Sequence, residues 1–344
     1  MPELPEVERA RRHLHRLCVG KIITSATGTP DEIVYTPKAA LTGESFAAHL
    51  TGNKVTDSFR RGKYFGLTLE RGPHVVAHFG MTGNIVQKGG PREKYMDFKQ
   101  DDDFPPRFCK LLVALEDGTE WAFADGRRLA RIRLVNDPFK EAPLSELGRD
   151  ALLDMPTVEE FTAMIRKRKT SIKAVLLDQS VLAGIGNWIA DEVLYNAKIH
   201  PAQGTKTLTD TELATLHASI TSIVGKACDV DADSDQFPKE WLFHYRWGKG
   251  KKKVSVMPNG DIIEHETHGG RTSAIVPAVQ VLRGGDADEG GSEDDGAVDG
   301  KKVKTKAKRA QTTPKKKTAA SRRKKNDTDE EERAKRKRTR KRKS

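Results

Sequence analysis

"VLAGIGNWIADEVLY", residues 181–195, sets two glycines either side of one isoleucine, then Asn187, then apolar residues at helical spacing. Gly184 and Gly186 permit a tight turn, and Asn187 stands where a new helix begins. Backbone N–H groups at a helix start lack intrahelical partners, so together with the Asn187 amide they can receive a phosphate. A glycine hairpin between two helices is also an ordinary connection, and the stretch alone leaves both readings open.

The neighbouring segments extend the helical reading. "SELGRDALLD" (145–154), "TVEEFTAMIRKR" (157–168), "SIKAVLLDQ" (171–179) and "TDTELATLHASITSIVGKACD" (209–229) have helical length and period, with Asp or Thr near several starts. From Lys21 to about Val135 the pattern is different: short apolar stretches such as "YFGLTLE" and "CKLLVALED" lie between Gly, Pro and Asp turns, which predicts a β-sandwich or barrel. Ahead of these strands, Leu4, Val7, Ala10, Leu14, Leu17 and Cys18 place residues 3–19 on an amphipathic helix that Gly20 ends. Past Trp241, two alternating segments flank Asn259-Gly260 and read as a hairpin. The expected fold class is α+β. Its expected divisions are an N-terminal helix with a β-sandwich (1–136), a helical domain (137–245), a hairpin (246–283) and a tail (284–344).

The tail changes character at "GGDADEGGSEDDGAVDG" and then becomes rich in Lys and Arg, a composition expected to be disordered. Residues 283–344 hold 23 basic and 12 acidic residues, net +11 of the chain's +12, so residues 1–282 are nearly neutral. Nucleic-acid binding by the ordered part therefore requires a local basic patch. "PKKKTAASRRKK" and "KRKRTRKRKS" are candidate nuclear import signals or DNA tethers, and the nucleus is the expected location. Cys18, Cys109 and Cys228 have no paired spacing, which argues against a disulfide framework or a cysteine-rich zinc site. His265 and His268 form an H-x-x-H pair, but strand alternation puts i and i+3 on opposite faces. No long apolar run suggests a membrane span or a secretory signal.

The amino terminus offers a different chemistry. If Met1 is removed, Pro2 presents a secondary amine, and an α-amino group titrates at about 7.7 to 8.0 against about 10.4 for lysine. Such an amine can attack a sugar aldehyde carbon to give an iminium ion, an electron sink for elimination. Glu3 and Glu6 lie on one side of the first helical turn, placed to donate a proton and to position the reacting group. Proline and glutamate at a helix start are also ordinary helix chemistry. Lys63 in "RRGKYF", Arg127 and Arg128 in "DGRRLARIRL", and Arg271 in "HGGRTSAIVP" are candidate phosphate ligands or solvated surface charges. Met81 in "HFGMTGN" is a candidate apolar wedge between bases or a buried methionine.

These motifs occur together and in order in one family. The chain resembles the formamidopyrimidine-DNA glycosylases, bifunctional base-excision repair enzymes related to endonuclease VIII, over about residues 2 to 281. The resemblance rests on "MPELPEVE", "RRGKYF", "HFGMTGN", "DGRRLARIRL", "KAVLLDQSVLAGIGNWIADEVLY" and "GGRTSAIVPAVQ". "PELPEV" favours the formamidopyrimidine side over endonuclease VIII. The resemblance implies that Pro2 is a Schiff-base nucleophile, Glu3 a proton donor, Glu6 a lesion-positioning residue, and Lys63 a phosphate ligand that takes part in catalysis. Asn187, in a helix-two-turn-helix element, and Arg271, in a finger hairpin, would clamp flanking phosphates. Met81 and Arg127 would fill the gap left by a flipped nucleotide. Arg128 and Leu129 share that loop, with Leu129 standing where the family usually has an aromatic residue. Bacterial members carry four zinc-binding cysteines in the finger; this hairpin has none, like the plant and fungal branch whose finger is zincless. The expected partner is damaged double-stranded DNA, bound by a monomer with no cofactor and no metal. Oxidised-pyrimidine removal and non-catalytic DNA binding are the alternatives.

Overall fold

The computed structural model describes residues 2–35, 41–90, 103–247 and 254–284. The expected disorder and signals of the tail beyond residue 284 lie outside the described residues.

Helix α1 (Leu4–Cys18) opens on a reciprocal cap, in which Glu3 stands at the helix start and Glu6 returns to the Glu3 backbone. Strands β1 (Ile23–Gly28), β6 (Cys109–Leu115), β7 (Glu120–Ala124) and β5 (Asn84–Gln87) form one antiparallel sheet. Strands β2 (Val55–Arg61), β3 (Tyr64–Leu69), β4 (His74–His78) and β8 (Arg131–Val135) form the other. The sheets share a core in which Phe65 of β3 stacks on Phe123 of β7 at 6.5 Å between ring centroids. Helix α2 (Gly43–Leu50) adds Phe46 and Leu50 to this core.

Helices α3 (Val158–Arg166), α4 (Ile172–Leu177), α5 (Asn187–Asn196) and α6 (Asp210–Asp229) surround a second core containing Trp188, Ile189, Leu213 and Ile220. Thr157 and Thr209 cap α3 and α6, each returned by the glutamate three residues on. Helix α1 joins the two cores: Leu4 packs into the helical one, while Val7, Ala10, Leu14 and Cys18 pack into the sandwich. The chain's first residues are thus trapped between the halves. A buried network fastens the same seam, with Arg60 of β2 donating to Asp150 at 2.6 and 2.9 Å and to Glu8 of α1 at 3.0 Å.

One local expectation differs from the structure, and another is met but incomplete. "SELGRDALLD" folds as a 3₁₀ turn (Leu144–Glu146) followed by the short strand β9 (Arg149–Asp150), paired in parallel with β10 (Leu182–Ala183). Asp150 accepts from Gly62, Leu152 and Leu153 N–H as well as Arg60, so it organises a turn rather than a helix. In the hairpin, Asn259-Gly260 turns the chain as expected, with Met257 N–H donating to the Asp261 carbonyl, Ile263 N–H to that of Ser255, and Val256 bridging Ile262 among the described residues. The main ladder, β11 (Glu264–His268) with β12 (Arg271–Ile275), turns at Gly269-Gly270, whose φ values of +57° and +68° suit the right-handed strand twist. Among the described residues no helix is long and apolar enough to cross a membrane.

Candidate active site

The start of α5 is occupied by the chain's own amino-terminal segment. Glu3, fully buried, accepts from the backbone N–H groups of Trp188 at 2.8 Å and Ile189 at 3.2 Å. The expected anion at this helix start is therefore a carboxylate from 185 residues away in the case of Trp188, and these two N–H groups are not open to a phosphate. The glycines make the approach possible. A Cβ on Gly186 would lie 2.2 Å from the Glu3 carboxyl carbon, and one on Gly184 would lie 2.3 Å from a Leu4 methyl. Gly184 also takes a φ of +105° and accepts the Leu4 N–H at 3.2 Å. Gln179 holds this turn, accepting from Gly184 N–H and donating to the Ile185 carbonyl.

Burial raises the pKa of Glu3, opposed by Lys63 and by the two N–H donors. Glu6 donates no charge to solvent either: burial, reinforced by Glu3, pushes it up to about 7, and one oxygen accepts the Glu3 N–H at 2.8 Å. Two buried carboxyl groups with raised proton affinity therefore follow Pro2 in the first turn of α1.

The lining of a cavity of about 340 Å³ includes Pro2, Lys63, Tyr64, His78, Asn187 and Arg271. Lys63 follows the turn at Gly62, whose N–H and carbonyl are held by Asp150 and Arg60. Burial and Arg271 lower the Lys63 pKa, while Glu3 and Glu6 oppose that. The Asn187 amide donates to the Thr272 carbonyl at 2.9 Å, and its buried oxygen has no partner. Arg271 is exposed at the start of β12. Behind the finger, buried Asp191 of α5 pairs with Lys173 and Arg246 and accepts the Ala274 N–H, fastening β12 to the helices.

His78 and Tyr64 were not among the candidates from sequence. Their rings lie 4.7 Å apart across the β3–β4 pair. Burial beside Lys63, Arg131 and Arg133 depresses His78 to about 4, so the imidazole is neutral at physiological pH. Its Nδ1 faces the Gly80 N–H, leaving Nε2 as the protonated nitrogen. The signal available in sequence was its position at the head of "HFGMTGN", beside Met81.

Met81, Arg127 and Leu129 lie in loops organised by Asp125, away from the cavity lining. Buried Asp125 accepts from the Thr82 hydroxyl, from Arg127 N–H at 3.1 Å and from Ala130 N–H at 2.7 Å. Gly80 backs onto the Leu129 carbonyl, where a Cβ would approach to 2.3 Å. Arg127 and Leu129 are exposed and Met81 is half-buried. Arg128, at φ +56°, instead turns its guanidinium onto Asp31 at 3.0 Å.

The H-x-x-H pair is separated as alternation requires. His265 Nε2 faces the Arg246 carbonyl, whereas His268 meets Glu266, two residues earlier on the same strand face, and His200. The Nδ1 of His200 accepts the Ala202 N–H at 3.1 Å, and its Nε2 lies 4.0 Å from Glu266, beyond hydrogen-bond reach.

The chain resembles known proteins in sequence and in fold. The family model of the formamidopyrimidine-DNA glycosylase N-terminal domain matches residues 1–132, and that of the formamidopyrimidine-DNA glycosylase H2TH domain matches residues 147–239. Formamidopyrimidine-DNA glycosylase of Arabidopsis thaliana is 43% identical over 291 residues, covering 84% of this chain and 73% of the relative. The Pediococcus pentosaceus enzyme of the same name is 38% identical over 82% of this chain and all of its own length. A Lactococcus lactis formamidopyrimidine-DNA glycosylase, solved bound to DNA containing an AP site, superposes with a TM-score of 0.65 at 28% identity, covering 81% of this chain and 100% of that one. A second Lactococcus lactis structure, in complex with Fapy-dG-containing DNA, gives 0.64 at 26% identity over the same shares. The ordered architecture and these matches together place the chain in the formamidopyrimidine-DNA glycosylase family.

Proposed function

We propose that the chain is a DNA glycosylase and abasic-site lyase of base-excision repair that removes oxidised purines, formamidopyrimidines in particular, from duplex DNA. The observation that carries this reading is the convergence of Pro2, Lys63, Asn187 and Arg271 on one cavity, whose wall at Gly186 backs onto the buried Glu3 carboxyl. A base inside a duplex is out of reach of any side chain, so the damaged nucleotide must leave the stack. Arg271, Asn187 and Lys63 grip the phosphates around it. Met81, Arg127 and Leu129 enter the vacancy, and Arg128 supports their loop through Asp31.

The Pro2 amine adds to C1′ as the sugar opens, with Glu3 supplying the proton and the C1′–N bond to the base breaking. Loss of the amine proton gives a cationic iminium, which draws electrons as the C2′ proton leaves and the 3′ phosphate departs. A further elimination releases the 5′ phosphate. Glu6 fixes the Glu3 backbone and with it the geometry of the first turn. The finger positions Arg271 without cysteine-bound zinc, as in the plant and fungal branch, since the Asp191 network and the apolar contacts of Met257, Ile263, Ala274 and Val276 with Leu242 anchor it. The enzyme acts as a monomer in the nucleus, where the basic runs of the tail serve as import signals and DNA tethers.

Intact mass and borohydride trapping test this together. The purified chain should begin at Pro2 and give a covalent adduct with abasic duplex, and an equal adduct from a chain whose Pro2 nitrogen is blocked by a retained amino-terminal extension would overturn the assignment. Excision from duplexes carrying formamidopyrimidine, 8-oxoguanine, a hydantoin or thymine glycol defines the lesion; activity confined to thymine glycol would favour the endonuclease VIII reading.

A further inference from the structure

Leu129 supplies no aromatic face at the loop that enters the vacancy, yet a ring stands beside it. Phe108 immediately precedes β6 and is 50% exposed, a large apolar side chain left in water at the edge of the sheet that carries Asp125. Its carbonyl accepts the Asp125 N–H at 3.0 Å, which fixes it to the same loop as Arg127. The ring lies flush against Gly126: a Cβ there would sit 3.0 Å from it, close enough to push the ring by a few tenths of an ångström. The Arg107 guanidinium lies 5.1 Å from the ring centroid, forming a cation–π pair. A planar ring with an arginine at its face, beside an exposed Arg127, suits a nucleobase next to a phosphate backbone.

We propose that Phe108 stacks on the unpaired base left opposite the damaged nucleotide, providing the planar contact that Leu129 does not. This rests on the glycosylase reading above. An unpaired base retains its π-face after losing its partner, and that face is sequence-independent, so the contact tolerates any opposite base. Arg107 follows the ring, pairing with it in the free enzyme and with the backbone of the undamaged strand in the complex.

The test is equilibrium binding of the full-length protein to duplexes bearing a tetrahydrofuran abasic analogue, with 2-aminopurine opposite it as a fluorescent reporter. Phe108→Ala should weaken duplex binding about ten-fold and abolish the quenching of 2-aminopurine seen with the wild type. Phe108→Trp should restore both, while Phe108→Leu should restore neither. Binding to the single-stranded abasic oligonucleotide, which has no opposite base, should be unchanged across the series. Full restoration by leucine, or an equal loss on single strands, would show that the ring serves only as packing and would overturn the proposal. Borohydride trapping by the wild-type chain reports on the underlying reading separately, since it depends on Pro2 and not on the ring.

Discussion

Gly186→Ala is the most informative single change in the structure. Gly186 has φ −121° and ψ −159°, an extended conformation open to any residue, so alanine there introduces no backbone strain. Its Cβ would instead meet the Glu3 carboxyl carbon at 2.2 Å and the two oxygens at 2.5 and 2.6 Å. Since ordinary contact begins near 3.5 Å, the carboxyl must withdraw by about 1 Å or more. The N–H groups of Trp188 and Ile189 then lose their acceptor inside the protein. A buried N–H left without an acceptor costs about 1 to 3 kcal/mol, so a loss of about 3 kcal/mol or more is expected for the two. This corresponds to a melting shift on the order of 10 °C. A misplacement of about 1 Å at a catalytic group costs roughly a hundred-fold in rate. Single-turnover release of formamidopyrimidine from duplex DNA, measured well below the melting point, should fall by that order. Cleavage of a preformed abasic site, where no base remains to be expelled, should fall less. A variant that melts and excises like the wild type would refute the claim that the glycine exists to admit Glu3.

The remaining predictions concern the groups that surround this contact. Glu6 is held near 7 in the folded chain against 4.5 as its ordinary value, so the folded state carries the extra proton between those limits. Its contribution, up to about 3 kcal/mol, is complete below pH 4.5 and lost as the pH rises through 7. Denaturant titrations from pH 4.5 to 8 should show this slope diminished in Glu6→Gln. Asp191→Asn leaves Lys173 and Arg246 buried without a counter-charge and should cost on the order of 3 to 5 kcal/mol, read by chemical denaturation, with weakened DNA binding as β12 loosens. Removing residues 284–344 should flatten the dependence of DNA affinity on salt, as expected when phosphate-neutralising charges are withdrawn, while single-turnover cleavage persists; loss of the chemistry would contradict a tethering role.

Much of the architecture is written in local pattern. The α+β class, the amphipathic α1, the run of short strands and the helices after Pro138 follow from apolar period, caps and breakers, all of which act within a few residues. The family resemblance was legible because its motifs occur in fixed order. Local pattern misread "SELGRDALLD", where Arg60, some ninety residues away in sequence, recruits Asp150 into a turn. It found the turn at Asn259-Gly260 but not the second one, at Gly269-Gly270, that joins β11 to β12.

At the candidate site the sequence by itself determined which groups are available: a penultimate proline, two early glutamates, a lysine after a glycine turn, and an asparagine at a helix start. Tertiary structure decided what each one faces. The helix start at Asn187 is an anion site on sequence grounds, but the anion that fills its Trp188 and Ile189 N–H groups is Glu3. Arg128 and Arg127 are adjacent, chemically identical and both exposed, yet it is Arg128 that turns back onto Asp31. His78 becomes a neutral imidazole because the fold buries it, an effect that Lys63, Arg131 and Arg133 reinforce. Helix and strand propensities are set by neighbours along the chain, whereas the partner of a buried charge is whichever opposite group the packed cores bring within about 3 Å, and only the folded molecule specifies that.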